Sequence, residues 1–99
     1  MDSKYQIFWT DEAVKNLEDI LDYLKNRWTS REVDNFKKKL SKQISLIQLN
    51  TRLFPISEYN IRLRKAVLSK QTTLFYELSE NIVYLVYLFN TKQSETRLK

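Results

Sequence analysis

The fold of this chain is decided by the stretch from Ile61 to Asn90, which reads IRLRKAVLSKQTTLFYELSENIVYLVYLFN. Three runs rich in β-branched, aromatic and leucine residues follow one another there, with short polar segments between them. The runs occupy residues 61–68, 73–78 and 82–89. Runs of this length and composition are typical of strands joined by tight turns. The stretch therefore predicts three consecutive strands of a small sheet.

Details of these runs predict how the strands are arranged. The segment Ser79-Glu80-Asn81 is short and polar enough to form a tight hairpin turn. The run 82–89 is apolar at both parities, so we expect a central strand buried on both faces. In the run 61–68 the alternation slips between Leu63 and Val67, which predicts a β-bulge there.

The first half of the chain predicts one strand and two helices. Residues 5–9 alternate as a strand does, and Thr10 then offers an N-cap oxygen. A first apolar stripe at helical spacing consists of Ala13, Leu17, Ile20, Leu21, Leu24 and Trp28. The segment Thr29-Ser30-Arg31-Glu32 has the form of a capping box and begins a second helix, which ends at Asn50. The stripe of this helix consists of Val33, Phe36, Leu40, Ile44 and Ile47.

The predicted order is β-α-α-β-β-β, an α+β fold in a single domain spanning residues 1–99. Because so few residues separate the two helices, they should form a hairpin. We expect the N-terminal strand and the helical hairpin to pack on one face of a small, mostly antiparallel sheet. The other face of the sheet should stay partly open and basic.

The composition excludes several kinds of active site. The chain has no His, no Cys and no Gly. Zinc hydrolysis and Ser-His-Asp chemistry need imidazole, and thiolate catalysis needs cysteine, so none of these is available. A Gly-rich phosphate loop is excluded as well. We therefore expect neither a metal nor a cofactor.

Basic residues are distributed unevenly along the chain. Residues 1–28 hold six acids and four bases, whereas residues 29–99 hold six acids and thirteen bases. A cationic cluster lies in and just after the first β-type run and consists of Arg62, Arg64, Lys65 and Lys70. Because Arg62 and Arg64 share a parity, we expect both to project from one sheet face toward a polyanion or an acidic partner.

Other prominent side chains have simpler interpretations. Tyr76 and Tyr84 are expected to pack within the sheet, while Tyr87 is open between packing and binding. Lys37-Lys38-Lys39 is interpreted as a solvated helix face. No apolar run approaches the roughly 20 residues that cross a bilayer, and residues 1–4 do not begin a secretory signal. We expect a soluble cytoplasmic protein without a membrane partner.

The order of elements and the residues within them resemble the RelE/ParE superfamily of small bacterial toxins from type II toxin–antitoxin pairs. The similarity extends over nearly the whole chain and rests on short pieces in a fixed order. These pieces are Trp9-Thr10-Asp11-Glu12-Ala13 with Leu17, Ile20 and Tyr23-Leu24, then Phe54-Pro55, Leu63-Arg64-Lys65-Ala66-Val67, Leu74-Phe75-Tyr76-Glu77 and Asn90-Thr91-Lys92-Gln93.

The resemblance implies one of two activities. RelE-type members cut messenger RNA on the ribosome with basic side chains and a C-terminal tyrosine, whereas ParE-type members poison DNA gyrase and are not known to be nucleases. Arg64 stands where a catalytic-type lysine of RelE-type members falls. However, Thr73 and Lys92 replace expected arginines, and no tyrosine follows Tyr87. These departures favour the ParE-like branch, and hence a plasmid-stabilising toxin that inhibits gyrase.

The same resemblance implies partners and site residues. A cognate antitoxin is expected to silence the toxin, and DNA gyrase is the expected target. The residues expected to bind target or antitoxin are Arg62, Arg64, Lys65, Lys70, Tyr87 and Lys92. The alternative is an endoribonuclease that acts on ribosome-bound mRNA through Arg64, Lys65 and Lys92. A third interpretation is a degenerate toxin that only binds antitoxin, so whether the chain is an enzyme stays open here.

Overall fold

The computed structural model describes residues 5–27 and 29–90. Six elements follow one another along this part of the chain: β1 (Gln6–Trp9), α1 (Asp11–Arg27), α2 (Ser30–Leu49), β2 (Arg64–Val67), β3 (Thr72–Ser79) and β4 (Ile82–Asn90). They form one sheet in the order β1-β4-β3-β2, in which only β1 and β4 pair in parallel. The predicted α+β order and the mostly antiparallel sheet are confirmed. Trp28 and Lys92 lie outside the described residues.

Thr10 fixes both the start of α1 and its position on the sheet. The Thr10 hydroxyl accepts a hydrogen bond from the backbone N–H of Ala13 at 3.1 Å, as an N-cap does. The same hydroxyl donates toward the carbonyl oxygens of Leu85 and Val86 in β4, at 3.0 and 2.8 Å. The predicted N-cap residue therefore also ties the helix to the central strand.

Helix α2 is capped as the sequence predicts and is attached to the sheet by two amides. The Thr29 hydroxyl accepts a hydrogen bond from the backbone N–H of Glu32 at 3.4 Å. Further along the helix, Gln43 donates to the carbonyl of Val67 at 2.8 Å, and Gln48 donates to that of Tyr5 at 2.9 Å. These long-range bonds join α2 to β2 and to the residue preceding β1.

The hydrophobic core lies between the two helices and one face of the sheet. Its buried members are Ala13, Ile20, Phe36, Leu40, Ile47, Ala66, Leu68, Leu74, Tyr76, Val83, Leu85 and Leu88. The apolar stripes predicted for both helices supply the helical members, as their spacing requires. The opposite face of the sheet has no helix over it within the described residues.

The predicted bulge between Leu63 and Val67 is wrong. Strand β2 begins only at Arg64 and pairs regularly with β3, so the slip in the alternation marks the start of the strand. The irregularity lies instead in the pairing of β3 with β4, between Phe75 and Tyr76. Nothing in the apolar pattern of β4 marks this position, because both of its parities are hydrophobic.

Strand β4 is central, as predicted, but it is buried on one face only. Val83, Leu85 and Leu88 are almost fully buried, whereas the residues alternating with them are partly exposed and Phe89 is 43% exposed. The turn before β4 contains just Glu80 and Asn81, because Ser79 pairs directly with Ile82. The predicted hairpin turn is confirmed.

An aromatic open sheet face as the candidate binding surface

The sheet face that points away from the helices is mostly aromatic. Residues paired across neighbouring strands lie on the same face, so the register defines its rows. Three of its rows are Val67–Thr73–Phe89, Lys65–Phe75–Tyr87 and Glu77–Tyr84–Phe8. These nine residues are called the open sheet face below.

Two aromatic contacts organise the open sheet face. The rings of Phe75 and Tyr87 stack with centroids 4.7 Å apart and an interplanar angle of 16°. The rings of Phe8 and Tyr84 meet edge to face at 5.4 Å. Both geometries are favourable for aromatic pairs. Tyr87, which the sequence left open between packing and binding, therefore stacks on Phe75 and remains partly exposed.

The positive charge on this face is smaller than predicted. Lys65 is the basic residue of the open sheet face, and it lies in one row with Phe75 and Tyr87. Arg62 reaches the edge of the face, where its Nε lies 3.7 Å from a carboxylate oxygen of Glu77. The Arg62 side chain is 78% exposed, so this ion pair contributes little to stability. The face that was expected to be basic is therefore mainly aromatic, with two cations, Lys65 and Arg62, at one side.

Arg64 lies on the other side of the sheet, which corrects the expected pairing with Arg62. Arg62 precedes β2, whereas Arg64 is within the strand and has the parity of the buried Ala66. Opposite Arg64 stands Tyr76, whose ring is fully buried. The Arg64 guanidinium donates to the carbonyl oxygen of Phe54 at 2.6 Å. Arg64 thus holds the loop after α2 against the sheet.

Tyr76 completes this anchor. Its hydroxyl donates to the carbonyl oxygen of Thr51 at 2.9 Å, and its ring meets that of Phe54 edge to face at 6.4 Å. Burial raises the pKa of Tyr76 to about 12, although the nearby positive charge of Arg64 acts in the opposite direction. A phenol with this pKa keeps its proton at neutral pH, so Tyr76 is a hydrogen-bond donor and a poor general base.

The remaining predicted site residues are dispersed. Lys70 lies exposed in the connection between β2 and β3, outside the three rows of the open sheet face. Lys92 lies beyond Asn90, the last residue that the structure describes. Of the predicted set, the structure therefore brings Lys65 and Tyr87 into one row, with Arg62 at the edge.

The sequence reasoning missed the aromatic members of the open sheet face. Phe8 and Phe89 are 53% and 43% exposed, and the nearly buried Phe75 stacks against Tyr87, yet none of the three was proposed as a site residue. A signal was present, because Thr73, Phe75 and Glu77 share the parity opposite to that of the buried Leu74. Assigning faces by parity alone would have placed Phe75 on this surface.

A cavity of about 160 Å³ lies at the other side of the molecule, between the helices and the β2–β3 connection. Ile20, Leu24 and Phe36 line it with apolar surface, and Lys39 and Glu32 add one charge of each sign. Within residues 5–27 and 29–90, no cluster of three or more His, Cys, Asp or Glu could hold a metal ion. Neither helix described here is long and apolar enough to span a membrane.

Solved structures share this fold. The chromosomal ParDE toxin–antitoxin system from P. aeruginosa is similar with a TM-score of 0.73 and 13% identity, covering 90% of this chain and 98% of that chain. The E. coli DinJ-YafQ toxin–antitoxin complex is similar with a TM-score of 0.62 and 14% identity, covering 91% and 96%. The YoeB dimer from Staphylococcus aureus also has a TM-score of 0.62, with 13% identity and 87% and 95% covered. Identities this low establish the fold alone.

The chain thus has the α+β fold of these solved structures, and its sequence identifies the family. A family model described as "ParE toxin of type II toxin-antitoxin system, parDE" matches residues 7–95. The chain belongs to this ParE toxin family. A comparison with curated proteins gave no significant match.

Proposed function

We propose that residues 1–99 form one toxin domain that acts in the cytoplasm by inhibiting DNA gyrase and so stabilises plasmids. The observation that carries the proposal is the ParE family match over residues 7–95, which includes the open sheet face and the anchor around Tyr76. The chain would act by binding, with the open sheet face and the tail after Asn90 as its contact surface.

The geometry around Arg64 supports binding over cutting. A ribonuclease of this superfamily would need Arg64 to meet the scissile phosphate, together with Lys65 and Lys92. The Arg64 guanidinium instead donates to the Phe54 carbonyl and lies beside Tyr76, on the face opposite to Lys65. Two cations on opposite faces of a strand cannot meet one phosphate without rearrangement.

A cognate antitoxin is the second partner in this proposal. The cavity between the helices and the sheet offers an apolar wall for an inserted side chain, with Lys39 available to a carboxylate. The net charge of +5 favours an acidic antitoxin segment and accelerates its encounter with the toxin. A degenerate toxin would still bind the antitoxin but would no longer bind gyrase.

The alternative activity is ribosome-dependent cleavage of mRNA, and one observation favours it. Lys65 lies in one row with the stacked rings of Phe75 and Tyr87. A cation in one row with a partly exposed tyrosine ring is an arrangement that can bind single-stranded RNA through phosphate contact and base stacking. Such a surface would bind RNA even if Arg64 stayed with the loop.

Purified, antitoxin-free protein should be incubated with supercoiled plasmid, ATP and gyrase, with a gyrase-omitted control. We expect linear DNA only when gyrase is present. The same protein should also be added to a translation reaction, and cleavage of ribosome-bound mRNA measured. If mRNA is cleaved and no linear DNA forms, the target is the ribosome and not gyrase. Neither product from a folded sample would indicate the degenerate toxin.

A further inference from the structure

Exposed apolar side chains are concentrated in one segment of the described chain. Nine large hydrophobic residues are exposed in the described part of the chain, and five of them lie within residues 49–61. The five are Leu49, Leu53, Ile56, Tyr59 and Ile61. Single exposed apolar residues are common on protein surfaces, but such a concentration marks an interaction site.

The last part of this segment belongs to a finger that leads into β2, here defined as residues 55–65. Ile56 and Arg64 form an antiparallel bridge, which places the two arms of the finger side by side. The backbone N–H of Ser57 donates to the carbonyl of Leu63 at 2.8 Å, and that of Lys65 donates to the carbonyl of Pro55 at 3.0 Å. Backbone hydrogen bonds therefore hold the two arms of the finger together, and the second arm continues into β2.

The tip of the finger is held by its own polar groups. The Ser57 hydroxyl accepts from the backbone N–H of Tyr59 at 3.1 Å, and the Asn60 side-chain oxygen accepts from that of Arg62 at 2.9 Å. The backbone N–H of Leu63 donates to the Asn60 carbonyl at 2.9 Å. These bonds fix the turn without using the side chains of Tyr59 and Ile61, which are 91% and 83% exposed.

We propose that Tyr59, Ile61 and Arg62 at this tip are the anchor for a folded protein partner that presents an apolar depression bordered by carboxylates. Tyrosine and arginine are the residue types that dominate binding energy at protein interfaces. A tip fixed in advance also loses little conformational entropy on binding. The charge fits as well, because residues 50–65 hold four bases and a single acid, Glu58.

The shape of the tip identifies which partner docks there. A protruding tip needs a concave surface, and a single antitoxin helix or strand offers none. A large folded target can offer such a concave surface. The Arg62–Glu77 ion pair also joins the tip of the finger to the open sheet face, so one target can cover both. The inference rests on the proposed function in so far as this partner is the toxin's target.

The test compares the double variant Tyr59→Ser, Ile61→Ser with two controls. Glu58→Gln alters the same tip without removing apolar surface, and Val14→Ser removes an exposed apolar side chain from α1. Growth arrest on expression, gyrase-dependent linearisation and the thermal midpoint are measured for each. We expect the double variant to keep its midpoint and to need about ten-fold or more protein for the same linearisation. Both controls should behave like the wild type.

Full growth arrest by the double variant would overturn the proposal, and so would an equal loss of activity in Val14→Ser. It would also be overturned if the double variant still arrests growth but no longer co-purifies with antitoxin, or if light scattering shows that its oligomeric state has changed. If the double variant is less stable, Tyr59→Ser alone decides between the outcomes. If the wild type arrests growth without acting on gyrase, the gyrase proposal fails. Loss of arrest in the double variant would then still support the finger.

Discussion

At the scale of single residues, Tyr76 is the side chain on which the loop after α2 depends. Its hydroxyl donates to the buried carbonyl of Thr51. Replacing Tyr76 by Phe leaves that carbonyl without its donor, so we expect the free energy of unfolding to fall by about 1–3 kcal/mol. Tyr84→Phe is the control, because Tyr84 is half exposed, and it should change stability by less than about 0.5 kcal/mol. Denaturant titration measures both.

Tyr76 also makes stability depend on pH in alkaline solution. Its pKa is about 12 in the folded protein against an ordinary value of 10.0. The folded state therefore holds a proton that the unfolded state has lost, and the stabilisation is complete below pH 10 and disappears toward pH 12. We expect the stability difference between the wild type and Tyr76→Phe to shrink across this window. Parallel pH curves for the two proteins would show that Tyr76 has no such role.

Glu80 is the described non-glycine residue with positive φ, at 56°, in the two-residue turn before β4. A residue with a Cβ is strained in this region, and the chain has no glycine to place there. We expect Glu80→Gly to raise the free energy of unfolding by about 0.5–1 kcal/mol. Asn81→Gly should not stabilise, because Asn81 does not need positive φ. If Glu80→Gly and Asn81→Gly change the thermal midpoint equally, backbone strain at Glu80 is contradicted.

At the scale of elements, the junction of β1, α1 and β4 depends on the Thr10 hydroxyl. This group caps α1 and also bonds to β4 next to the irregular pairing. Thr10→Val keeps the shape and removes the oxygen, so we expect a loss of about 2 kcal/mol. Thr10→Ser keeps the oxygen and should cost less than about 1 kcal/mol. A similar loss of stability in Thr10→Val and Thr10→Ser would show that packing, and not the hydroxyl, stabilises this junction.

The elements themselves could be predicted because local signals agreed with one another. Thr10 and the Thr29–Glu32 capping box marked both helix starts, and apolar spacing gave the helix faces. The irregular pairing of β3 with β4 could not be predicted. It lies where the Thr10 hydroxyl bonds to β4, a contact between residues 75 positions apart. Such a contact leaves no periodic trace in the sequence.

The site was predictable only in part, for a related reason. Lys65 and Tyr87 could each be named from the sequence as candidate site residues, but that they share one row on either side of Phe75 follows only from the strand register. Arg64 was assigned to the wrong face, since parity was counted from Arg62, before the strand begins. Its role in holding the loop requires the Phe54 carbonyl, whose position depends on the whole loop.

At the scale of the whole molecule, the charge of +5 should govern association rates. Ionic screening shortens the Debye length from about 10 Å at 0.1 M to about 3 Å at 1 M salt. If the antitoxin segment is acidic as proposed, we expect its association to slow by about ten-fold over this range, with a smaller change in dissociation. Stopped-flow measurement separates the two rates. A salt-independent association rate would contradict an electrostatic encounter.

The open sheet face can be tested against overall charge with two variants of equal net charge. Lys65→Glu reverses a cation on that face, and Lys38→Glu reverses an exposed cation on α2. Both lower the net charge by two, so only the position of the change differs. A check of the thermal midpoint confirms that each variant is folded.

The most direct measurement is gyrase-dependent linearisation of plasmid by these two variants beside the wild type. We expect Lys65→Glu to produce about ten-fold less linear DNA and Lys38→Glu to match the wild type. Equal activity in all three proteins would contradict the open sheet face as the working surface, and equal loss in both variants would reduce its role to that of net charge.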